Sequence, residues 1–421
     1  MKRFNPPTRV ALILGLLAFS AACRAADEFA LKNGDRVVFY GDSITDQRLY
    51  TTFTETYVVT RFPTMDVSFV HSGWGGDRVT GGGGGPIDVR LDRDVFAYKP
   101  TVVTIMLGMN DASYRPFDQG IFDVYSKGYR HMVESIKSHL PGVRLTLIQP
   151  SPFDDVTRPP TFPEGYNAVL VKYGEFVKDL AQKEGAGVAD LNTPVVASLK
   201  KAAELDKTHA DKLIADRVHP GPGGQLLMAE ALLKAWRAPA VVTAVEIDLG
   251  GAKVIRSDNT KIEDLKTKDG VSWTQVDSAL PMPIDLKDPV VALAVKASDV
   301  IAALNQETLK VYGVTAGKYE LKIDGQKAGE FSMDALLEGI NLAELDTPMT
   351  RQARDVHHLT IRHNDVHFQR WRMLQTPFEK DGLPSLAKAL EGIDSLERDL
   401  IEKQRAAAAP KPHKYELIPK S

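Results

Sequence analysis

A serine, a histidine and an aspartate stand in settings that suit nucleophilic chemistry. Ser43 follows Gly41 and Asp42 directly after the apolar run VVFY, and Asp216 precedes His219 by three residues in DRVHPG. A serine hydroxyl becomes a nucleophile when a histidine accepts its proton and a carboxylate orients that histidine. A spacing of three residues allows one turn of chain to bring the carboxylate to the imidazole. The pattern therefore predicts acyl transfer with Ser43 as the nucleophile.

Each of these residues also has a purely structural interpretation. Serine and aspartate are favoured helix N-caps, so Ser43 could do no more than begin the helical pattern that follows it. Asp216 and His219 could form a local hydrogen bond at the surface. The catalytic interpretation is favoured by position, because both segments fall at the same predicted edge of one sheet.

The anionic intermediate of acyl transfer needs hydrogen-bond donors, and two further segments could supply them. Gly76 in GWGGD can present a backbone N–H that no side chain crowds, and Asn110 in GMND can offer its amide. Together with the N–H of Ser43 they would form a three-donor oxyanion hole. Trp74 and Asp42 are predicted to line the substrate site, although Trp74 could equally cap the core.

The elements that must position these residues alternate in type between about residues 35 and 237. Short β-rich apolar segments predict strands, and longer segments with helical periodicity separate them. This alternation predicts an α/β fold, a three-layer α/β/α sandwich around a five-stranded parallel sheet, with ligands outside the carboxyl ends of the strands. The predicted strands are RVVFY, VSFVHS, TVVTIMLG, RLTLIQP and GVADL, and the predicted helices span residues 49–62, 86–98, 120–139, 163–184 and 221–237.

Four blocks in this half, GDSIT, GWGGD, GMND and DRVHP, resemble in sequence and order those of the SGNH hydrolase superfamily, the GDSL-type esterases and lipases. The resemblance implies a flavodoxin-like fold and a serine triad that needs no metal or organic cofactor. It assigns the nucleophile to Ser43, the oxyanion hole to Ser43, Gly76 and Asn110, and the remaining triad positions to Asp216 and His219. Two departures, Ile44 for leucine and His71 for asparagine, touch no catalytic atom.

After about residue 241 the pattern changes to β-type segments separated by turns. The segments are VSWTQV, VVALAV, TLKVYGV, KYELKIDGQKAGEFS and HLTIRHN, and the IDGQ turn predicts a hairpin. Leucine and isoleucine then recur at helical intervals before the segment AAAAPKP, which predicts a C-terminal helix and a loose tail. The predicted domains are a hydrolase domain at 27–240, a mostly β accessory domain at 241–375, and the helix with its flexible tail at 376–421.

Residues 1–25 have the layout of a secretory signal peptide, a basic start, an apolar run and small residues at the end. The run is too short to span a bilayer comfortably, so export to the periplasm or the extracellular space is predicted, without stable membrane insertion. The single cysteine, Cys23, lies at the predicted cleavage boundary. Lipidation of Cys23 is a minor alternative, because Ser20 stands where such a signal normally has leucine.

Composition and two clusters of residues bear on which ligands and partners the protein could bind. A net charge of -3 indicates neither nucleic acid nor an anionic membrane as a partner. The histidines of VHHLTIRHNDVH could bind metal, but their alternation with apolar residues favours a solvated strand face, so no metal is predicted. Aromatic residues of the accessory domain could bind carbohydrate, although core packing is the commoner role. The histidines are His357, His358, His363 and His367, and the aromatic residues are Trp273, Tyr312, Tyr319 and Trp371.

The sequence thus predicts an exported serine esterase that hydrolyses short-chain acyl esters through an acyl-enzyme intermediate. The favoured reaction removes an acetyl or another short acyl group from a carbohydrate, with a small-molecule or polysaccharide ester as the partner, and the oligomeric state is left open. One alternative is a lipase, phospholipase or thioesterase with the same triad. The other is a non-catalytic glycan-binding protein on a hydrolase scaffold, against which the completeness of the predicted site argues.

Overall fold

The computed structural model describes residues 28–268 and 270–420. The predicted signal peptide and Cys23 therefore lie outside the described residues. Within the described ranges, no helix combines the length and the apolar character needed to cross a membrane.

The first half of the chain contains a five-stranded parallel sheet, as the sequence predicts. Its strand order is β2-β1-β5-β6-β7, so the order reverses at β1, beside which ligands of such sheets bind. Residues 37–40 of β1 are fully buried, because helices cover both faces of the sheet. The strands are β1 Arg36–Gly41, β2 Ser68–Gly73, β3 Gly81–Gly82, β4 Gly85–Pro86, β5 Val102–Met106, β6 Arg144–Ile148 and β7 Gly187–Ala189, of which β3 and β4 form a separate hairpin.

Two groups of helices cover this sheet and complete the predicted three-layer fold. Contacts link α8 to α2 and α6, and a separate set of contacts links α4 to α3 and α5. The helices are α1 Ser43–Asp46, α2 Leu49–Arg61, α3 Ile87–Asp94, α4 Gln119–His139, α5 Tyr166–Glu184, α6 Thr193–Leu205, α7 Lys207–Ala210 and α8 Pro222–Ala235, with a 3₁₀ turn at Phe96–Tyr98.

The second half is rich in strands, which form two sheets. One is a four-stranded mixed sheet of order β15-β12-β8-β9, and the other is a five-stranded antiparallel sheet of order β10-β11-β16-β13-β14. The strands are β8 Val241–Asp248, β9 Lys253–Asp258, β10 Thr260–Lys266, β11 Val271–Asp277, β12 Gln306–Tyr312, β13 Lys318–Ile323, β14 Gln326–Ser332, β15 Ile340–Asn341 and β16 Pro412–Lys420. The predicted strands VSWTQV and TLKVYGV and the predicted hairpin are confirmed as β11, β12 and the pair β13 and β14.

Helices accompany these sheets in the second half. They are α9 Pro289–Ala297, α10 Val300–Leu304, α11 Met333–Glu338, α12 Pro348–Phe368, α13 Thr376–Phe378 and α14 Pro384–Ala408, with a π-helix at Gln369–Gln375 and a 3₁₀ turn at Leu342–Glu344. The predicted C-terminal helix is thereby confirmed as α14.

Two segments predicted as strands are helices instead. VVALAV lies in α9, where Asp288 accepts hydrogen bonds from the first-turn N–H groups and proline follows it. HLTIRHN lies in α12, which begins with a capping box between Thr347 and Thr350. These caps satisfy backbone donors that a helix otherwise leaves free, and they outweigh the preference of β-branched residues for strands.

The predicted flexible tail is also wrong, because residues 412–420 form β16 in the middle of the antiparallel sheet. β16 pairs with β11 on one side and with β13 on the other. Tyr415 and Leu417 point into the core, and the ring of Tyr415 stacks on Trp273 with centroids 5.1 Å apart. The alternation of buried and exposed residues in HKYEL is the strand signal that the preceding alanine and proline residues obscured.

The two halves pack against each other over a continuous surface. Val291 and Ala294 of α9 and Val300 and Leu304 of α10 belong to the same buried cluster as the core of the parallel sheet. Arg61 of α2 donates hydrogen bonds across the junction to the carbonyl oxygens at 241 and 304, and a third to the carbonyl at 239 just before it. The predicted boundary near residue 240 marks a change in secondary structure and stays a prediction as a domain boundary.

A buried carboxylate fixes the C-terminal helices to α2. Glu55 Oε1 accepts hydrogen bonds from His363 at 2.6 Å and Gln404 at 3.0 Å, and its Oε2 contacts His71 at 3.2 Å and Asn364 at 3.3 Å. Burial alone would raise the pKa of Glu55, but the charge and hydrogen bond of His363 hold that pKa well below its usual range. α12 and α14 are therefore docked through an ionised group that water does not reach.

This contact also corrects the prediction of a solvated histidine strand face. His363 and His367 lie on helix α12 and are 1% and 5% exposed, and His357 bonds to the Thr56 hydroxyl at 2.9 Å. In the described ranges, no group of three or more His, Cys, Asp or Glu side chains is arranged to hold a metal ion. These histidines serve packing between helices.

We expect Glu55→Gln to destabilise the protein strongly, because it removes the counter-charge of the buried His363. Loss of one partner of a buried pair costs about 3–5 kcal/mol. Thermal unfolding should show a clear fall in Tm at pH 7. Since the pKa of Glu55 is lowered in the folded state, its contribution is complete above the unfolded-state pKa of about 4.3, so the fall should persist at pH 5.

The control for this experiment is Glu184→Gln. Glu184 forms an exposed ion pair with Lys137 at 2.8 Å, and pairs of this kind contribute about 0–1 kcal/mol. Equal Tm changes for the two variants would contradict the role given to Glu55.

Candidate active site

Ser43 is the first residue of α1, directly after the carboxyl end of β1. Asp42 caps this helix, its Oδ1 accepting a hydrogen bond from the N–H of Ile44 at 3.0 Å, so Ser43 is not the cap. Glycine is required at 41, because a Cβ there would lie 2.2 Å from Thr45 Oγ1. The tight turn leaves the Ser43 hydroxyl at the reversal point of the strand order.

The structure joins Ser43, His219 and Asp216 by a chain of hydrogen bonds. Ser43 Oγ lies 2.8 Å from His219 Nε2, and His219 Nδ1 lies 2.7 Å from Asp216 Oδ2. Asp216 Oδ1 accepts from the backbone N–H of Val218 and of His219. Partial burial would raise the pKa of Asp216, but the hydrogen bonds from His219 and Val218 bring it below the usual value. An ionised carboxylate thus orients the imidazole toward the serine.

The loop that carries this pair is tied to the loop after β6. Arg217 has a left-handed backbone, φ +74°, and its carbonyl accepts a hydrogen bond from Asp154 N at 2.9 Å. The Arg217 side chain donates to the carbonyl of Pro159 at 2.8 Å. The unusual conformation between Asp216 and His219 is therefore held from both sides.

Gln225 connects the helix after His219 to the segment after Ser43. This fully buried side chain accepts from Tyr50 N at 3.0 Å and donates to Gln47 Oε1 at 2.7 Å. Because α8 begins three residues after His219, the link fixes the distance between the two ends of the Ser43–His219 hydrogen bond.

Two of the three predicted oxyanion donors, Gly76 and Asn110, lie on adjacent loops. Gly76 has φ +78°, which favours glycine, and a Cβ there would meet no atom within 4 Å, so its backbone borders open space. Asn110 Nδ2 donates to the carbonyl of Asp77 at 3.0 Å, which ties the loop after β5 to the loop after β2. Within the described chain, neither Ser43 N–H nor Gly76 N–H has a hydrogen-bond acceptor, so both are available to an oxyanion.

Two residues predicted to line the substrate site, Asp42 and Trp74, are buried. Asp42 is 2% exposed, caps α1, and has its pKa raised to about 7 by burial. Trp74 is 8% exposed, with the guanidinium of Arg372 over its ring and Trp371 edge-on to it. This burial favours the core interpretation of Trp74. Among the accessory aromatic residues, Trp273, Tyr319 and Trp371 are likewise buried.

Tyr114 stands beside the site, although it was not predicted from the sequence. Tyr114 is 45% exposed, and its hydroxyl donates to Asn110 Oδ1 at 3.1 Å. Ser113 and Tyr114 both have left-handed backbones, with φ of +60° and +53°. Such conformations are costly outside glycine and concentrate at functional sites. One ring face stacks on Tyr166 with centroids 4.9 Å apart, and an aromatic residue four positions after Asn110 was the available sequence signal.

Comparisons with known proteins show what the chain is similar to. Residues 39–227 match the model of the GDSL-like lipase/acylhydrolase family. The chain is 25% identical over 224 residues to an acetylxylan esterase of Geobacillus stearothermophilus, a match that covers 48% of this chain and 94% of the relative. A solved structure of a gut microbial diltiazem-metabolizing enzyme is 26% identical with a TM-score of 0.79, and the match covers 94% of this chain and 100% of that one. The second likeness thus extends through both halves.

We expect a fluorophosphonate, which reacts with histidine-activated serines, to label Ser43. Asp216→Asn should slow labelling at least about 10²-fold, because the imidazole loses the carboxylate that holds its tautomer. The site of labelling is found by peptide mass spectrometry, and its rate by quenched time points.

The chain offers a matched control in Asp206→Asn. Asp206 and His209 have the same spacing of three and the same 2.7 Å contact, but His209 has no contact with Ser43. The account of the site is contradicted if the two variants are labelled at the same rate.

Proposed function

We propose that this chain is an exported serine esterase of short-chain acyl esters, acetyl esters on carbohydrate in particular, because residues 39–227 match the GDSL-like lipase/acylhydrolase family. The observation that carries the proposal is the hydrogen-bonded chain from Ser43 through His219 to Asp216. Geometry of this kind activates a serine hydroxyl at neutral pH.

The first half-reaction forms an acyl-enzyme. His219 Nε2 removes the Ser43 proton while Oγ attacks the ester carbonyl, and Asp216 stabilises the imidazolium that results. The tetrahedral oxyanion accepts hydrogen bonds from Ser43 N–H, Gly76 N–H and the Asn110 amide. When the intermediate collapses, the C–O bond to the alcohol breaks and His219 gives its proton to the departing oxygen.

The second half-reaction releases the acid. His219, neutral again, takes a proton from water, and the hydroxide oxygen attacks the acyl carbonyl. The same donors hold the second oxyanion, and Ser43 leaves with the proton from His219. Every step uses side chains of the described site, and general-base assistance of this type contributes about 10²–10⁴ in rate.

Two features support a ring-bearing alcohol such as a sugar. The relative that matches the first half over 94% of its length is an acetylxylan esterase. Tyr114 has one ring face against Tyr166 and is 45% exposed beside Asn110, so its other face is available to stack against a ring. We therefore assign Tyr114 to the alcohol side of the substrate.

A second candidate is an esterase of ring-bearing small molecules other than sugars. The likeness to the diltiazem-metabolizing enzyme favours it, because that likeness includes the second half of this chain. Diltiazem therefore serves as a probe alongside acetylated xylan.

Export is proposed from residues 1–25. Fractionation of expressing cells followed by N-terminal sequencing tests it. A mature chain that begins near residue 26 supports export, whereas a lipid-labelled chain that begins at Cys23 supports the lipoprotein alternative.

We expect nitrophenyl esters from acetyl to palmitoyl to show highest kcat/KM at acetyl. Ser43→Ala should lower this activity by at least about 10³-fold without changing Tm, because only the nucleophilic oxygen is removed. Peak activity on long chains would favour a lipase. Equal activity of Ser43→Ala and wild type would favour a non-catalytic scaffold.

Variants of Tyr114 test its two contacts separately. Tyr114→Phe removes only the hydroxyl that orients Asn110, so kcat should fall about tenfold for every acetate while KM is unchanged. Tyr114→Leu also removes the ring, which should raise KM roughly three- to tenfold for a methyl xyloside acetate but not for ethyl acetate. A KM that rises equally for both acetates would refute the stacking role.

A further inference from the structure

Two side chains of the second half, Trp371 and Arg372, contact Trp74 in the loop that carries Gly76. Arg372 lies on the π-helix at Gln369–Gln375, and its guanidinium carbon is 3.1 Å from the centroid of the Trp74 ring. Trp74 precedes Gly76 by two residues. Short π-helical turns are rare and occur often at functional sites.

Asp46 links the same arginine to the backbone of this loop. Arg372 Nη2 lies 4.0 Å from Asp46 Oδ2, and that oxygen accepts a hydrogen bond from Gly75 N at 3.1 Å. Burial raises the pKa of Asp46, and the charge of Arg372 opposes that rise. Arg372 therefore favours the ionised carboxylate, which is the stronger acceptor for Gly75.

Three further side chains contact the Trp74 ring. Arg90 and Arg93 each lie with the guanidinium carbon 5.2 Å from its centroid, and Trp371 meets it edge-on at 5.6 Å. Arg90 is itself fixed by ion pairs to buried aspartates. Arg372 is the contact in this stack that comes from the C-terminal region and also reaches α1, the helix that begins at Ser43.

Three consecutive residues of the π-helix make three different contacts. Arg370 Nε pairs with Asp394 of α14 at 2.7 Å, and Trp371 Nε1 donates to Asp94 Oδ1 at 2.6 Å. The guanidinium of Arg372, the third residue, stacks on the Trp74 ring. Within the described residues its Nη1 is buried without a hydrogen-bond partner, which is a cost that the stacking position must offset.

We infer that Arg372 is a positioning residue for the oxyanion donor Gly76, supplied to the active site by the C-terminal region. The inference rests on the proposed function, in which Gly76 N–H contacts the developing oxyanion. Arg372 clamps Trp74 by stacking and Gly75 through Asp46, so the N–H that follows them stays directed at the Ser43 crevice. It acts through these groups and does not itself touch the substrate.

The test compares variants of the full-length protein on 4-nitrophenyl acetate. Arg372→Met keeps the length of the side chain but removes both charge and planar stacking, and it should lower kcat about 10–10²-fold with KM within about twofold, as expected when a transition-state contact is loosened. Arg372→Lys restores the charge and should recover part of kcat. The matched control, Arg370→Met, breaks an ion pair on the same helical turn and should lower Tm without lowering kcat.

The outcomes separate this inference from the proposed function. If wild type shows activity that Ser43→Ala abolishes, yet Arg372→Met keeps full kcat or loses no more than Arg370→Met, the positioning role is overturned and the esterase stands. A rise in KM with unchanged kcat overturns it too, because that result places Arg372 in substrate binding. If wild type and Ser43→Ala are equally inactive, the proposed function is wrong, and the positioning role of Arg372, which depends on it, is wrong as well.

Discussion

The hydrogen bond of 2.8 Å between Ser43 Oγ and His219 Nε2 joins residues 176 apart in sequence. The surrounding structure holds both residues in the positions that this contact requires. One end depends on Gly41, where no side chain fits, and on the Asp42 cap that starts α1. The other depends on a left-handed turn at Arg217. Gln225 of α8 forms hydrogen bonds with Tyr50 of α2 and with Gln47, so the segments that carry Ser43 and His219 are held together.

The C-terminal half is built into this arrangement. Helix α2, which follows the Ser43 segment, is buried along nearly its whole length because α8, α12 and α14 pack on it, and Glu55 supplies the ionised contact that docks α12 and α14. α9 and α10 enter the hydrophobic core of the parallel sheet. β16, formed by residues 412–420, is the middle strand of the antiparallel sheet, so this sheet is complete only when β16 pairs with β11 and β13. A likeness that spans both halves of a solved relative is consistent with this integration.

Local sequence pattern was sufficient to predict the parallel sheet and the proximity of Ser43, Asp216 and His219. Buried parallel strands are continuous apolar runs, and their carboxyl ends meet at one edge, so the polar residues after β1, β2 and β5 had to converge. Local sequence pattern gave the wrong secondary structure where a helix cap or a strand distant in sequence determines the conformation. Asp288 and Thr347 begin helices in segments of strand-like composition, and β16 is a strand because β11 and β13 flank it. Trp74 is buried by Arg372, about 300 residues away in the chain, which no spacing rule reveals.

The central claim is that Ser43 carries the acyl group during turnover. The direct measurement is mass spectrometry of the Ser43 peptide after wild type is mixed with 4-nitrophenyl acetate and quenched in acid, since a good leaving group makes deacylation the slower step. The account predicts a mass increase of one acetyl group on Ser43, absent when Ser43→Ala is treated in the same way. Release of nitrophenol with an unmodified Ser43, or with the acetyl group on another residue, would contradict it.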